Sequence, residues 1–386
     1  MNTAIIAEYN PFHNGHKYHI EKTRKLTNCE NIIVIMSGNF TQRGEPAALE
    51  KHIRARHALE NGADMVLELP VEYASGAADV FAGAAVEILD KSGIADILSF
   101  GSESGSIDGL NTAADIFAEE SAEFKKFFAE FSAEGLPYPA AREKAAAKVS
   151  GRDMSFINSP NNILAIEYLT ALKRLKSNIR PFTVKREQNG YNDQNLSGGI
   201  SSAAAIRQSL KQGILPVDDI PQDTAADLKN IILPELDGYS DIFAYILRTT
   251  PQKKLAEIAD MTEGLENRFL KFADKGRISN IIEAAKTKRY TYTKLQRAVL
   301  HTILGITKDM QAKRPAYIRV LGVKSEKKAL INELAAKSVL PVVTRVKENE
   351  DLLKTEIKAA DIYRLLGDRV IGSEYTNSVI IRETLI

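Results

Sequence analysis

Two histidines near the start of the chain, His13 and His16, have the spacing of a phosphate-binding site. They follow a short apolar run at residues 3–7 that predicts a β-strand, and they stand where a helix should begin. Gly15 between them would let backbone N–H groups approach a phosphate closely, and a helix start adds partial positive charge. Two imidazoles could then donate hydrogen bonds to a pentavalent α-phosphate, so this turn predicts nucleotide chemistry.

Zinc binding is the alternative use of paired histidines. The chain contains six histidines and one cysteine, and its sequence offers no second ligand cluster to complete a tetrahedral site. We therefore expect no metal held by a dedicated set of side chains. His19, one turn beyond His16, is expected on a helix face rather than as a third catalytic group.

A second phosphate-binding segment is predicted at residues 197–207, which read Ser-Gly-Gly-Ile-Ser-Ser-Ala-Ala-Ala-Ile-Arg. Small hydroxyl residues such as Ser202 favour the start of a helix, and Arg207 lies in its first turns. Amides, a hydroxyl and a guanidinium could converge there on a leaving pyrophosphate. Arg186 follows a predicted strand at residues 181–185, and its guanidinium would suit a phosphate or a carboxylate.

The elements that must position these groups predict an α/β fold. Apolar runs at residues 3–7, 32–36, 65–69 and 97–100 alternate with helical stretches, which is typical of a Rossmann-like parallel sheet. Ligands bind such sheets at the carboxyl ends of the strands. Glycine-rich and polar loops follow two of these runs, so we expect the binding crevice there.

Three regions are expected along the chain. Residues 1–215 are expected to form the ATP-binding α/β domain, with a helical insertion or lid at 112–150 and a helix at 163–175 capped by Ser159 or Asn161. Residues 216–312 are helical. Residues 313–386 predict a small C-terminal α/β subdomain with strands at 317–323 and 340–346, a helix at 325–336 between them and a last helix at 351–366.

The overall composition restricts the partners and the compartment. Fifty-one basic residues balance fifty acidic ones, so only a local basic patch could bind nucleic acid. The single cysteine, Cys29, excludes an internal disulfide framework and is expected to pack after the first helix. We see neither a secretory signal nor a run of eighteen apolar residues, which predicts a soluble cytoplasmic protein without a membrane partner.

Residues 286–297 supply such a patch, with five basic residues interleaved with two tyrosines. Basic side chains can pair with RNA phosphates while aromatic rings stack on unpaired bases. A solvated charged helix face is the alternative. The candidate RNA-binding residues are Lys286, Lys288, Arg289, Tyr290, Tyr292, Lys294 and Arg297.

These motifs together resemble one family. The sequence Glu-Tyr-Asn-Pro-Phe precedes the His-x-Gly-His element at residues 8–12, and Gln-Arg-Gly-Glu-Pro follows the second predicted strand at residues 42–46. Both are similar to the tRNA(Met) cytidine acetate ligase family, a branch of the His-x-Gly-His nucleotidyltransferase superfamily. Further matches at 100–103, 160–164 and 286–291 extend the resemblance over most of the chain.

The resemblance implies that ATP and acetate give acetyl-adenylate, whose acetyl group is transferred to N4 of the wobble cytidine in elongator tRNA(Met). It assigns His13 and His16 to catalysis, Ser202 and Arg207 to the β- and γ-phosphates, and it implies Mg²⁺ as a phosphate-bridging ion. Ala204 departs from the second motif, where a threonine is common. The implied ATP contacts are Ile6, Ala7, Glu8, Tyr9, Asn10, Pro11, Phe12, His13, Asn14, Gly15, His16, Lys17, Tyr18, His19, Gly101, Asn161 and Arg186.

Two other functions stay open on the residues alone. The same histidine site would serve a nucleotidyltransferase acting on a small phosphorylated metabolite, and the missing hydroxyl at Ala204 would fit a non-catalytic RNA-binding relative. The group that accepts the cytidine proton is also open: Glu8, His19 and Glu103 are candidates, and a transfer without any base is the alternative.

Overall fold

A mixed, mainly parallel sheet forms the centre of the molecule. The structure is a computed structural model that describes residues 1–103, 105–185, 196 and 198–383. Its strands run in the order β5-β4-β1-β2-β3-β6-β7, and β8 pairs with β6. The first five strands are parallel, which confirms the predicted Rossmann-like fold. The strands are β1 (Asn2–Ala7), β2 (Asn31–Ser37), β3 (Met65–Leu69), β4 (Ile97–Ser102), β5 (Arg180–Lys185), β6 (Ile318–Lys324), β7 (Val342–Val343) and β8 (Ile380–Arg382).

Helices cover both faces of this sheet, so its central strands are mostly apolar. Every residue of β2 is buried, as expected for a parallel strand with helices above and below it. The helices of the first half are α1 (Asn14–Thr27), α2 (Lys51–Glu60), α3 (Val71–Ala74), α4 (Ala78–Ser92), α5 (Ile107–Glu119), α6 (Ala122–Ala133), α7 (Tyr138–Ser150), α8 (Pro160–Leu175) and α9 (Ala203–Lys211).

The second half of the chain is largely helical before it returns to the sheet. Its helices are α10 (Gln222–Leu228), α11 (Ser240–Thr249), α12 (Gln252–Leu255), α13 (Leu265–Lys271), α14 (Ile278–Ala285), α15 (Tyr292–Leu304), α16 (Lys308–Ala312), α17 (Ala329–Lys337), α18 (Lys354–Arg364) and α19 (Ser373–Thr376). Among the described residues, these and the earlier helices include none with the length and apolar character to cross a bilayer.

Separate apolar cores fill the two faces of the sheet and the helical region. The insertion predicted at 112–150 belongs to the largest of them, because Phe117 and Phe124 pack edge to face with ring centroids 5.7 Å apart. Cys29 is buried in the core on the opposite face, as predicted. Phe40, from the loop after β2, packs in the core of the helical region and so ties that region to the end of the sheet.

The C-terminal segment differs from the expected separate subdomain. Its strand β6 pairs antiparallel with β3, and β7 and β8 pair with β6, so the segment extends the main sheet. The free edge of β3 explains this pairing, because its buried N–H and C=O groups need partners. The strand predicted at 340–346 is reduced to Val342–Val343, and the predicted helices appear, with shifted ends, as α17 and α18.

Candidate active site

The two histidines of the first motif form the N-terminal cap of α1. His13 is the N-cap residue, and its Nδ1 accepts a hydrogen bond from the Gly15 N–H at 3.0 Å. The Nδ1 of His16 accepts from the backbone N–H of His13 at 3.3 Å, which completes a reciprocal capping box. The two rings lie with centroids 3.7 Å apart and 31° between their planes.

This cap decides which ring nitrogens carry protons. A neutral imidazole has one donor nitrogen and one acceptor nitrogen. Because Nδ1 of His13 and Nδ1 of His16 each accept a backbone N–H, each ring must carry its proton on Nε2. The helix cap therefore provides two Nε2–H donors at the positive end of α1, which is the arrangement that binds and polarises a phosphate.

Gly15 is required by packing as well as by backbone approach. A Cβ atom at this position would lie 2.9 Å from Cε1 of His13 and 3.3 Å from Cγ2 of Ile200. Any larger residue would therefore displace the His13 ring. On the other side of the pair, Tyr9 packs edge-on against His16 with centroids 4.8 Å apart.

A buried arginine that the sequence analysis missed holds the strand ends around this turn. Arg54 on α2 is fully buried, and its guanidinium donates to the carbonyl oxygens of Glu8, Ser37 and Gly38. It thereby fixes the carboxyl ends of β1 and β2 relative to each other. Its position inside a helix with mixed charged and apolar residues gave no signal for this role.

A cavity of about 270 Å³ opens beside the histidines at the carboxyl ends of β1, β4 and β5. This is the edge of the sheet where the crevice was predicted. The predicted ATP-binding residues that line it are Ile6, Ala7, Glu8, Tyr9, Asn10, His13, Gly15, His16, Tyr18, His19, Gly101, Asn161, Ser202 and Arg207.

Four residues of the predicted ATP segment lie elsewhere. Phe12 is buried in the core and Pro11 precedes it, also buried. The Nδ2 of Asn14 donates to the carbonyl oxygens of Gly199 and Asp218, and Lys17 is exposed on α1. None of these four residues lines the cavity. Arg186 lies outside the described residues.

The second phosphate motif reaches the same cavity from the other side. Ser202 is the N-cap of α9, and its hydroxyl accepts from the Ala205 N–H at 3.1 Å. Arg207, one helical turn further on, donates from Nη1 to the carbonyl oxygen of Asn10 at 2.7 Å. This bond joins the second motif to the first and places a guanidinium beside the histidine turn.

Glu8 is a half-buried carboxyl group on the wall of the cavity. Burial raises its pKa, while a 2.6 Å hydrogen bond from the Gln42 N–H and the nearby charge of Arg207 act in the opposite direction. Of the other proton acceptors considered, His19 contacts the Ser99 hydroxyl at 3.3 Å and lines the cavity.

The third proton-acceptor candidate, Glu103, is used to cap a helix. Its carboxylate accepts from the backbone N–H groups of Asn161 and Asn162 at 3.2 and 3.0 Å, so it caps α8 from the end of β4. Ser159 occupies the N-cap position but makes no capping hydrogen bond with its side chain. The cap of α8 is therefore supplied by Glu103, which follows β4, and not by Ser159 or Asn161 as predicted. No sequence pattern near residues 159–161 could indicate a cap from so distant a residue.

The basic cluster is divided between the surface and the interior. Lys286, Lys288, Arg289 and Tyr292 are exposed, and Lys294 is half-buried and donates to the Thr262 hydroxyl. The other two candidate RNA-binding side chains have partners within the fold. Tyr290 is buried with its hydroxyl donating to the Glu263 carbonyl oxygen, and the guanidinium of Arg297 pairs with Asp260 at 2.9 Å. The polar groups of both side chains therefore have hydrogen-bond or ion-pair partners inside the protein.

The loop after β2 links this cluster to the cavity. Gly44 has φ +79°, and a Cβ atom there would lie 2.6 Å from the backbone nitrogen of Arg297. The loop therefore packs directly on the backbone of α15. Beside this contact, Gln296 donates from Nε2 to Oε1 of Glu45 at 2.9 Å. Glu45 thus lies both on the cavity wall and against α15.

Replacing Gly44 by alanine should destabilise the protein by about 1–3 kcal/mol, because the left-handed backbone and the close α15 backbone both oppose a side chain. Thermal unfolding of the purified variant measures this. Gly83→Ala on α4 is the matched control, since a Cβ there meets nothing within 4 Å and alanine favours a helix. Equal stability losses in the two variants would contradict the proposed packing of the loop.

Comparisons with known proteins agree with this geometry. A family model described as HIGH Nucleotidyl Transferase matches residues 1–377. The tRNA(Met) cytidine acetate ligase of Clostridium perfringens is 38% identical over 98% of this chain and 99% of its own length. That of Acetivibrio thermocellus is 39% identical over the same shares of the two chains.

Solved structures of a relative are also similar over nearly the whole chain. The apo structure of Thermotoga maritima TmcAL matches with a TM-score of 0.93 and 31% identity, covering 99% of this chain and 100% of the other. The structure of the same protein bound with alpha-thio ATP matches with a TM-score of 0.91. The chain belongs to the tRNA(Met) cytidine acetate ligase family, within the HIGH nucleotidyl transferases.

Proposed function

We propose that the protein is an ATP-dependent tRNA(Met) cytidine acetate ligase. It activates acetate as acetyl-adenylate and acetylates N4 of the wobble cytidine of elongator tRNA(Met), releasing AMP and pyrophosphate. The observation that carries this proposal is the convergence of two imidazoles and one guanidinium on a single cavity, in a chain similar over its length to ligases of that name. The proposal includes a cytoplasmic location, where tRNA substrates are found.

The first step follows from the chemistry of acetate. A free carboxylate is a poor acyl donor because oxide cannot leave, so an acetate oxygen attacks the α-phosphorus of ATP and pyrophosphate departs. Negative charge accumulates on the pentavalent phosphate during this attack. The Nε2–H groups of His13 and His16 donate to its oxygens, and the start of α1 adds its dipole.

We assign Arg207 and Ser202 to the leaving group. The guanidinium of Arg207 is anchored by Nη1 on the Asn10 carbonyl oxygen and lies beside the histidine turn. It would stabilise the charge that develops on the β- and γ-phosphates, and the cap of α9 at Ser202 adds a second helix start to the same cavity. The methyl group of Ala204 offers no hydroxyl to this set.

We also propose that Mg²⁺ binds with the nucleotide, coordinated mainly by the phosphate oxygens. Of the cavity-lining residues in the described part of the chain, Glu8 and Glu45 have carboxyl groups, which suits an ion that keeps several waters and takes few protein ligands. When bound, it would neutralise charge on the phosphate oxygens.

The proposed tRNA-binding surface is formed by the exposed side chains Lys286, Lys288, Arg289 and Tyr292 together with the half-buried Lys294. Arg289 pairs with Glu263 at the surface and Lys286 with Glu283. Exposed pairs of this kind exchange readily for phosphate contacts because they contribute little to stability.

Replacing Lys288 by alanine should raise the KM for tRNA by about 3- to 10-fold and reduce the salt dependence of binding by about one counterion. Acetate-dependent ATP–pyrophosphate exchange should stay unchanged, because that reaction needs no tRNA. Lys125→Ala, an exposed lysine on α6, is the matched control. A change in KM that is equal in both variants would contradict a tRNA-binding role for the cluster.

Product analysis tests the proposal as a whole. The purified protein is incubated with ATP, acetate and an unmodified tRNA(Met) transcript, and the digested nucleosides are analysed by mass spectrometry. We expect N4-acetylcytidine, formed only when acetate and ATP are both present. An unchanged tRNA together with a dinucleotide-like adduct of a small metabolite would instead support the other nucleotidyltransferase function.

A further inference from the structure

A second cavity of about 350 Å³ adjoins the nucleotide cavity. The two share Glu45, Ala204 and Arg207 in their walls, and the second continues from there to Tyr292 at the start of α15. We propose that this second cavity receives the cytosine base, with Tyr292 stacking on its ring and Glu45 accepting a hydrogen bond from its N4 amine. This inference rests on the proposed function and names its base-binding site.

Tyr292 is suited to stacking on an unpaired base. Its side chain is 39% exposed, unlike that of Tyr290, and it lines the second cavity. The ammonium of Lys286 lies 6.0 Å from its ring centroid, close enough to pair with a phosphate of the same strand. Ile278 and Leu236 give part of the wall an apolar surface that suits a flat heterocycle, and polar side chains such as Lys211 and Glu235 line the remainder.

Glu45 lies where the reacting amine must arrive. It belongs to the walls of both cavities, so a base in the second cavity can direct its N4 atom toward the α-phosphate side of the first. Gln296 donates to Oε1 of Glu45, and the close packing of Gly44 on α15 fixes the loop that carries it. The carboxylate is therefore held in one orientation at the junction.

A carboxylate at this place also distinguishes the bases. Cytosine presents N4–H₂ as a donor, which a glutamate accepts, whereas uracil presents O4 as an acceptor that a carboxylate repels. Ala204 contributes only a methyl group to the junction, which leaves room for the exocyclic amine between the cavities.

In the transfer step, AMP is the leaving group and Glu45 accepts the proton that N4 releases. The N4 nitrogen attacks the acetyl carbon of acetyl-adenylate and forms the C–N bond. The bond from that carbon to the phosphate oxygen breaks, and AMP leaves with its electron pair. One N4 proton passes to the Glu45 carboxylate, so the amide product is neutral.

Tryptophan fluorescence tests base stacking directly, because the chain contains no tryptophan and Tyr292→Trp introduces a single reporter. An RNA hairpin with the tRNA(Met) anticodon loop should quench its emission when cytidine occupies the wobble position. The same hairpin with an abasic wobble site should quench it at least about threefold less, since the stacking partner is missing. Equal quenching by the two hairpins would overturn the assignment of the base to this cavity.

Kinetics test both residues with the full tRNA. Tyr292→Ala should lower kcat/KM for acetyl transfer by about 10- to 100-fold and Tyr292→Phe should restore it, because stacking needs only the ring. Glu45→Gln should lower kcat for transfer by about 10²-fold. Tyr245→Ala, an exposed tyrosine on α11, is the control.

ATP–pyrophosphate exchange separates this inference from the proposed function. Acetate-dependent exchange by the unaltered protein, together with slow transfer by Tyr292→Ala and Glu45→Gln, supports the base site. Transfer at the unaltered rate in both variants overturns it while the ligase function stands. Absence of acetate-dependent exchange in the unaltered protein overturns the ligase function itself.

Discussion

Replacing His13 by asparagine should slow acetyl-adenylate formation by about 10²–10³-fold, the loss typical of one preorganised donor to a charged transition state. Asparagine is a strong N-cap residue, and its Oδ1 can take the place of the imidazole Nδ1 as acceptor of the Gly15 N–H. It has no group at the position of Nε2. The variant therefore keeps the helix cap and removes the donor to phosphate.

The reciprocal variant separates the two roles of this histidine. Glutamine at position 13 can extend an N–H group toward the Nε2 position but is a poor cap, so His13→Gln should lose about 1 kcal/mol of stability and retain more activity than His13→Asn. Pyrophosphate exchange and thermal unfolding measure the two effects. An asparagine variant that exchanges at the unaltered rate would show that the imidazole only caps α1.

Replacing Lys51 by methionine should lower the free energy of unfolding by about 3–5 kcal/mol, the cost of leaving buried carboxylates without their cation. The side chain of Lys51 is only 1% exposed, and its Nζ lies 2.6 Å from Glu68 and 3.0 Å from Glu374. Arg319 on β6 pairs with the same two carboxylates at 3.1 and 2.5 Å. This network joins α2 and β3 to β6 and to α19.

The protonation states of the network agree with this charge balance. Burial alone would raise the pKa of Glu374, but the charges of Lys51 and Arg319 lower it to about 2. Burial and the neighbouring Glu68 raise the pKa of Glu356 well above its usual range, which favours its protonated form. Two cations therefore face two carboxylates.

Urea unfolding at neutral pH measures the effect of Lys51→Met. The matched control is Lys354→Met, which removes an exposed partner of Asp351 and should leave the unfolding midpoint unchanged. Because Glu374 has a lowered pKa, its contribution is present above pH 4.5 and is lost as the pH falls toward 2. A Lys51 variant as stable as the control would contradict a structural role for the network.

The sequence predicted the local features of the site and missed those that depend on distant pairing. The strand before His13 is apolar because both of its neighbours in the sheet are buried, and the His-x-Gly-His turn caps the following helix through residues three positions apart. Both signals lie within a few residues. They could therefore be read directly.

Other features became visible only in the fold. Arg54 and Lys51 are charged residues of an ordinary helix, and nothing near them in the sequence indicates that they bind groups on other elements inside the protein. The pairing of β6 with β3 joins segments about 250 residues apart, so it could not be predicted from local periodicity. The burial of Tyr290 was also not predictable locally, because the backbone carbonyl that accepts its hydroxyl hydrogen bond belongs to Glu263 in a separate segment.

ATP–pyrophosphate exchange with and without acetate tests the central claim most directly. We expect the protein alone, without tRNA, to incorporate labelled pyrophosphate into ATP when acetate is present and not when acetate is omitted. Dependence on acetate would show that a carboxylate attacks the α-phosphate held by the two imidazoles. Exchange at the same rate without acetate, or none under either condition, would contradict the formation of acetyl-adenylate at this site.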